Sequence, residues 1–106
     1  MTIERAYPRK KRRFQVRFTD ENGVSRLGFT HDVSLSGAFV TAGSLPQIGQ
    51  NLSLELRDTA GRSICFAGVV VRQKRAPLAL SATMPNGFGL GLTELSEDYR
   101  ELVLSL

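Results

Sequence analysis

The 106-residue chain is poor in the residue types that form disulfides and hold metal ions, with one cysteine, one histidine and no tryptophan. A lone cysteine excludes an internal disulfide framework and fits a reducing compartment, so we expect a cytoplasmic protein. Cys65 lies in an apolar stretch, where we expect a buried packing thiol rather than a nucleophile. His31 has no histidine or cysteine partner at metal-ligand spacing. The sequence therefore predicts no catalytic residue, no metal site and no enzyme.

Phosphate-binding glycine patterns and long apolar runs are missing as well. Neither a Walker motif nor a dinucleotide-binding glycine pattern occurs. No stretch approaches the roughly 18 uninterrupted apolar residues that a membrane helix needs, and the opening residues contain no apolar core of a secretory signal. We expect a single domain, large enough to bury about two-thirds of the surface of its unfolded chain. It should not insert into membranes, and it should be a monomer or a weak dimer.

Acidic residues are nearly absent from the first part of the chain. Residues 1–17 hold seven of the 14 basic residues and one of the ten acidic ones, a net charge of +6, whereas the remainder has a net charge of −2. The basic character therefore belongs to one segment and not to a whole face of the fold. Such a segment favours a local anion site.

Short strands are predicted over most of the chain. Apolar and polar residues alternate, or apolar residues run briefly between turn signals, over 14–19, 24–30, 52–57, 63–73, 77–83 and 88–93. Asn22-Gly23 is a strong tight-turn signal between the first two stretches. Gly87, Gly89 and Gly91 lie in or beside the last stretch, where they indicate tight curvature or close packing.

The end of the chain has a helical period. Five apolar residues share one face at that spacing: Leu95, Tyr99, Leu102, Val103 and Leu106. Ser96 is a suitable N-cap, and Glu97 and Asp98 suit the positive end of the helix dipole. We predict a helix over 96–106 that covers an open end of the fold or a partner protein. Many short strands with one terminal helix favour a small barrel or sandwich.

The stretch HDVSLSGAF, residues 31–39, places polar residues inside an apolar run. If it is extended, Asp32, Ser34 and Ser36 point one way, toward a ligand, while the residues between them anchor the core. Gly37 would then supply a positive φ or let a ligand approach closely. The alternative is a polar outer face with a glycine bulge, which the spacing alone favours.

The basic segment contains arginines four residues apart. Arg5 and Arg9 flank Pro8, which restrains the chain between them. Arginine is suited to bidentate recognition of phosphate oxygens and of guanine O6 and N7. Arg9 and Arg13 form an overlapping pair with the same spacing, so two registers are open, and Arg9 belongs to both. A solvated arm without a specific ligand is the more common reading of a basic run.

Together the two stretches resemble the PilZ domain, a bacterial receptor module for cyclic di-GMP. Its R-x-x-x-R motif is matched by Arg5 and Arg9, and its D-x-S-x-x-G motif by Asp32, Ser34 and Gly37. The resemblance implies a six-stranded β-barrel, residues 14–106, that ends in the helix. It also implies a flexible ligand-binding segment, residues 1–13, with Arg5, Arg9, Asp32, Ser34 and Gly37 as the cyclic di-GMP site, Arg13 as the alternative arginine, and no cofactor.

The resemblance implies an adaptor that changes its protein contacts when the segment closes over the nucleotide. Its partner would belong to a motility, secretion or polysaccharide machine. The alternative is a PilZ-like interaction module that does not bind the nucleotide appreciably. Nucleic-acid binding is disfavoured, because base-stacking barrels cluster aromatics on one strand face. Here the six phenylalanines are scattered along the chain, as core residues would be.

Overall fold

The computed structural model describes residues 7–77 and 86–106. Within them the chain forms the strands β1 (Lys10–Lys11), β2 (Gln15–Thr19), β3 (Ser25–Val33), β4 (Gly37–Thr41), β5 (Asn51–Arg57), β6 (Ser63–Lys74) and β7 (Gly87–Glu94), and the helix α1 (Glu97–Ser105). The mainly β class predicted from the sequence is confirmed. No helix in these two ranges is long and apolar enough to cross a membrane.

Antiparallel pairing closes six of these strands into a barrel. Their order is β3-β2-β5-β6-β7-β4, and β4 pairs back onto β3. The short β1 lies outside this ring and pairs with the last residues of β3, Lys10 opposite Val33. Closure joins the two edges of the sheet, which removes the unpaired edges that an open sheet would present. The prediction of a six-stranded antiparallel barrel with a C-terminal helix is confirmed.

The observed strands follow the sequence pattern closely. The stretches predicted as strands and found within strands, to within a residue or two at their ends, are 14–19, 24–30, 52–57, 63–73 and 88–93. The stretch 77–83 lies outside the described residues, apart from Pro77. Strand β4 was not separated from β3 in the sequence, because Ser34, Ser36 and Gly37 interrupt the alternation that marks a strand.

One face of each strand of the ring fills the barrel core, and α1 closes one end. The helix begins after Ser96, whose hydroxyl accepts a hydrogen bond from the backbone nitrogen of Tyr99 at 3.2 Å. It buries Tyr99, Leu102 and Val103. The rings of Tyr99 and Phe66 lie 4.4 Å apart between centroids, so the helix packs directly on strand β6.

Cys65 is exposed, so the expectation of a buried thiol is wrong. Strand alternation explains this position, because Ile64 and Phe66 face the core and Cys65 between them faces outward. The apolar character of the stretch comes from its inward residues alone. Close packing at the β7 glycines agrees with the sequence: a Cβ at Gly87 would lie 2.7 Å from Cζ of Phe39.

Candidate functional site

A β-bulge sets the direction of Asp32. The register between β3 and β4 shifts between Thr30, which pairs with Val40, and Asp32, which pairs with Phe39. His31 is therefore an extra residue on β3, and it turns the following side chain outward. The Asp32 side chain is 14% exposed, beside the short strand β1 that pairs with the end of β3.

Strand β1 brings the basic segment to this carboxylate. Lys10 pairs with Val33 and Lys11 with Asp32, so the chain just before β1 passes the end of β3. Nη1 of Arg9 donates to Oδ1 of Asp32 at 2.5 Å. Nδ1 of His31 lies 3.2 Å from the other carboxylate oxygen. The structure thus joins one residue from each predicted motif, with His31 beside them as a polar neighbour.

Ser34 does not face outward beside Asp32, contrary to the extended reading of residues 31–36. Strand β3 ends at Val33, and Ser34 is fully buried. Its hydroxyl accepts from the Ser36 backbone nitrogen at 3.2 Å and donates to the Gly37 carbonyl at 3.3 Å. Its backbone nitrogen donates to the same carbonyl at 2.8 Å. Ser34 therefore holds a turn together, the turn 34–37 that links β3 to β4.

Glycine is needed at position 37 because the neighbouring strand lies too close for a side chain, and not because the backbone there is left-handed. Positive φ among the described glycines occurs at Gly23, Gly49 and Gly61, so the expectation of a positive φ at Gly37 is wrong. A Cβ on Gly37 would collide with the carbonyl oxygen of Leu90 on strand β7. The close approach that the sequence indicated is thus made by the protein's own backbone.

Helix α1 supports the turn 34–37 from inside the barrel. The Tyr99 hydroxyl lies 2.9 Å from the Ser34 carbonyl oxygen and 3.1 Å from that of Gly37, and donates to this pair. Burial raises the pKa of the Tyr99 hydroxyl. The hydroxyl therefore remains a donor at neutral pH. The helical period marked Tyr99 as a core residue and gave no sign of this contact.

The N-terminal segment is also tied to the end of α1. Nζ of Lys10 donates to the carbonyl oxygens of Val103 and Leu106, each at 3.0 Å. The last turn of the helix carries no basic residue of its own. Lys10 therefore supplies the cation that favours a helix C-terminus. In the sequence Lys10 was one member of a basic run, without a signal to separate it from Lys11.

The remaining predicted arginines have different positions. Arg5 lies outside the described residues. The guanidinium of Arg13 lies over the Phe29 ring, with its central carbon 3.8 Å from the ring centroid. This contact keeps Arg13 on the outer face of β3, where it forms neither a hydrogen bond nor an ion pair with Asp32. Of the two candidate arginines among the described residues, Arg9 contacts the carboxylate and Arg13 does not.

A family model for the PilZ domain matches residues 3–106, nearly the whole chain. No curated protein matches this chain. Among solved structures, the inhibitor of motility MotI/DgrA of Bacillus subtilis superposes with a TM-score of 0.74 at 21% identity, over 93% of this chain and 47% of that one. This chain thus spans about half the length of that protein.

Two solved PilZ domains also match in fold. The domain of YcgR from Escherichia coli, solved with cyclic di-GMP, gives a TM-score of 0.71 at 11% identity, over 92% of this chain and 84% of that one. The domain of CeSA from a cellulose-synthesizing bacterium gives 0.64 at 15% identity, over 92% and 96% of the two chains. At these identities the structures agree in fold, and the family model carries the assignment. The chain belongs to the PilZ family of cyclic di-GMP receptor and adaptor domains.

Proposed function

We propose that this chain is a cyclic di-GMP receptor that passes the signal to a protein partner, by binding and not by catalysis. The contact between Arg9 and Asp32 is the observation that carries the proposal. The two residues are 23 positions apart and belong to different motifs, yet their side chains meet at the end of strand β3. The lone thiol fits a cytoplasmic location for such a receptor.

The chemistry of the pair matches the two kinds of group that the ligand offers. The Asp32 carboxylate has two acceptor oxygens, which suit the N1–H and N2–H₂ donors of a guanine edge. The Arg9 guanidinium suits a phosphate or the O6 and N7 acceptors of guanine. The nucleotide would exchange one ion pair for two complementary contacts. Arg5, four residues before Arg9, would add a second guanidinium.

Ser34 and Gly37 support this site without touching the ligand through their side chains. Ser34 is fully buried, and its hydroxyl makes hydrogen bonds within the turn 34–37. Gly37 allows β4 to approach β7 at the Leu90 carbonyl. Both residues therefore fix the backbone beside Asp32, and we assign them a positioning role.

Helix α1 would relay binding, because it contacts both motif regions. Tyr99 bonds the turn 34–37, and Lys10 links the N-terminal segment to the helix end. A segment that closes over the nucleotide must move Arg9, which is adjacent to Lys10, and so alters the contacts at the helix end. A partner in a motility, secretion or polysaccharide machine would then recognise the surface around α1.

A second candidate is an interaction module that does not use the nucleotide. It is favoured by the same ion pair, because Arg9 and Asp32 already satisfy each other. A ligand must break that contact before it binds. In this case the surface around α1 would be constitutively available to the partner.

Calorimetric titration with cyclic di-GMP separates these candidates, with GTP and cyclic di-AMP as specificity controls. Saturable binding of cyclic di-GMP alone supports the receptor and gives the stoichiometry. We expect Arg9→Ala and Asp32→Asn each to weaken binding by about tenfold to a hundredfold. Arg62→Ala is the matched control, since Arg62 pairs with Asp58 in the β5–β6 turn. No heat at tens of micromolar nucleotide would support the interaction module instead.

The register of the arginine motif is settled by the same titration. If Arg5 and Arg9 form the motif, Arg5→Ala weakens binding and Arg13→Ala does not. The reverse result would assign the motif to Arg9 and Arg13. Arg13→Ala also removes the contact with Phe29, so its folded state must be checked by circular dichroism.

A further inference from the structure

A row of residues crosses four strands on the outside of the barrel, starting at Asp32. Asp32 of β3 pairs with Phe39 of β4, and Phe39 pairs with Gly89 of β7. Gly89 in turn pairs with Arg72 of β6. Directly opposed residues of antiparallel strands project from the same face. These four residues, which we call the outer row, therefore share the outer surface with the candidate site.

Gly89 leaves the space that Arg72 occupies. A Cβ at Gly89 would lie 2.8 Å from Cγ and 2.9 Å from Nε of Arg72. The arginine side chain thus lies across the backbone of β7 and reaches toward β4. Its guanidinium carbon is 5.4 Å from the centroid of the Phe39 ring. The planar cation consequently lies over the aromatic ring on the outer surface.

The Phe39 ring also adjoins the candidate site. The His31 ring meets Phe39 edge-on, with centroids 6.1 Å apart and planes at 83°. His31 also bonds Asp32. Phe39 is half-buried on the outer face, whereas the residues on either side of it along β4 fill the core. This aromatic ring is therefore displayed next to the carboxylate rather than used for the core.

Arg72 is available for a ligand. Within residues 7–77 and 86–106 its guanidinium makes no ion pair, unlike those of Arg9 and Arg62. Guanidinium planes and aromatic rings are the groups on which nucleobases stack. Adjacent strands are about 4.8 Å apart. The backbone of Phe39 is therefore one strand spacing from that of Asp32, and the backbone of Arg72 is three spacings, or about 14 Å, from it. The Arg72 side chain extends back over part of that distance.

We propose that Phe39 and Arg72 form a stacking platform for a purine base of the nucleotide. The proposal rests on the proposed function, and it adds two residues that belong to neither motif. A cyclic dinucleotide has two purines, so one can present its edge to Asp32 while the platform holds the plane of the other. A mononucleotide has a single base and cannot occupy both positions. The outer row therefore favours a dinucleotide over GTP.

The test is calorimetric titration of the intact chain with cyclic di-GMP, comparing Arg72→Ala, Arg72→Lys and Arg17→Ala. We expect Arg72→Ala to weaken binding by about tenfold. Arg72→Lys should lose most of the same affinity, because it keeps the charge and removes the plane. Arg17 is an exposed arginine on strand β2, which lies outside the outer row, and Arg17→Ala removes the same charge. It should bind as the parent does.

Three results would overturn the platform while leaving the receptor intact. In the first, the parent binds and Arg72→Ala binds equally well. In the second, Arg72→Lys retains full affinity, which would make the effect one of charge alone. In the third, Arg17→Ala and Arg72→Ala weaken binding equally, which would make it an effect of net charge. Failure of the parent itself to bind would overturn the proposed function, and the platform with it.

Discussion

The two halves of the candidate site are held in opposite ways. The turn 34–37 is internal, with Ser34 fully buried and both of its end carbonyls, those of Ser34 and Gly37, within reach of the Tyr99 hydroxyl. Residues 7–13 of the N-terminal segment lie outside the barrel, and the Arg9 side chain that meets Asp32 is 44% exposed. Buried hydrogen bonds are costly to break, whereas exposed ion pairs contribute little to stability. The turn is therefore a fixed part of the fold, whereas the proposed function requires the segment to be the part that moves.

The largest expected effect tests whether the turn is fixed. Gly37→Ala forces a Cβ against the Leu90 carbonyl oxygen, and backbone cannot yield there without separating β4 from β7. We expect a loss of about 3 kcal/mol in the free energy of unfolding, measured by urea denaturation. Gly43→Ala is the control, because a Cβ there meets nothing within 4 Å. Equal stability of the two variants would contradict this account of Gly37.

Tyr99→Phe removes the bond between helix α1 and the turn while keeping the ring. The Ser34 and Gly37 carbonyls lose a buried donor, so we expect a loss of about 1–3 kcal/mol in unfolding free energy. Tyr7→Phe, at a residue that is 39% exposed, should leave stability unchanged. If Tyr99→Phe were as stable as the parent, the turn would not depend on the helix.

The same hydroxyl predicts a loss of stability in alkaline solution. Its folded-state pKa is raised above the ordinary value of 10.0, so the unfolded chain releases this proton first as pH rises. The contribution of the Tyr99 hydroxyl to the free energy of unfolding is present in full below about pH 10 and is lost progressively above it. Urea denaturation of the parent and Tyr99→Phe, from pH 8 to 11, should show their difference shrinking above pH 10. If the difference in unfolding free energy between the parent and Tyr99→Phe stayed constant from pH 8 to 11, the stabilising role of the Tyr99 proton would be contradicted.

Much of the fold was predictable because its signals are local. Alternation within β2, β5 and β6 reports which residues face the core, whatever the strands pair with. The direction of Ser34 was not predictable in this way. The bulge at His31 and the end of β3 at Val33 shift the alternation, and both depend on pairing with β4.

The candidate site was predictable only where its signals are local in the sequence. The motif spacing identified Arg9 and Asp32 as candidates, but their contact depends on the β1–β3 register, which no local pattern encodes. Tyr99 bonds a carbonyl 65 positions away, and Lys10 bonds the opposite end of the chain. Such contacts are set by how α1 packs on the barrel. The residues that the sequence missed are those that act through a distant element.

A smaller effect is expected where the segment meets the helix. Lys10→Met removes the cation at the C-terminus of α1, and we expect a loss of about 0.5–1 kcal/mol in unfolding free energy. Lys11→Met is a close control, because it removes the same charge from the adjacent, exposed residue. If the two variants lose the same amount, Lys10 acts through net charge and not through the helix end.

The smallest effect on stability should accompany a large effect on binding. Arg9→Ala breaks an ion pair that solvent screens, so the unfolding free energy should change by about 1 kcal/mol or less. Its affinity for cyclic di-GMP should nevertheless fall by about tenfold to a hundredfold. Denaturation and calorimetry on the same preparation measure both quantities. A variant that lost much stability and little affinity would make Arg9 a structural residue and would reverse the roles of the two halves, because the segment would then be the fixed part.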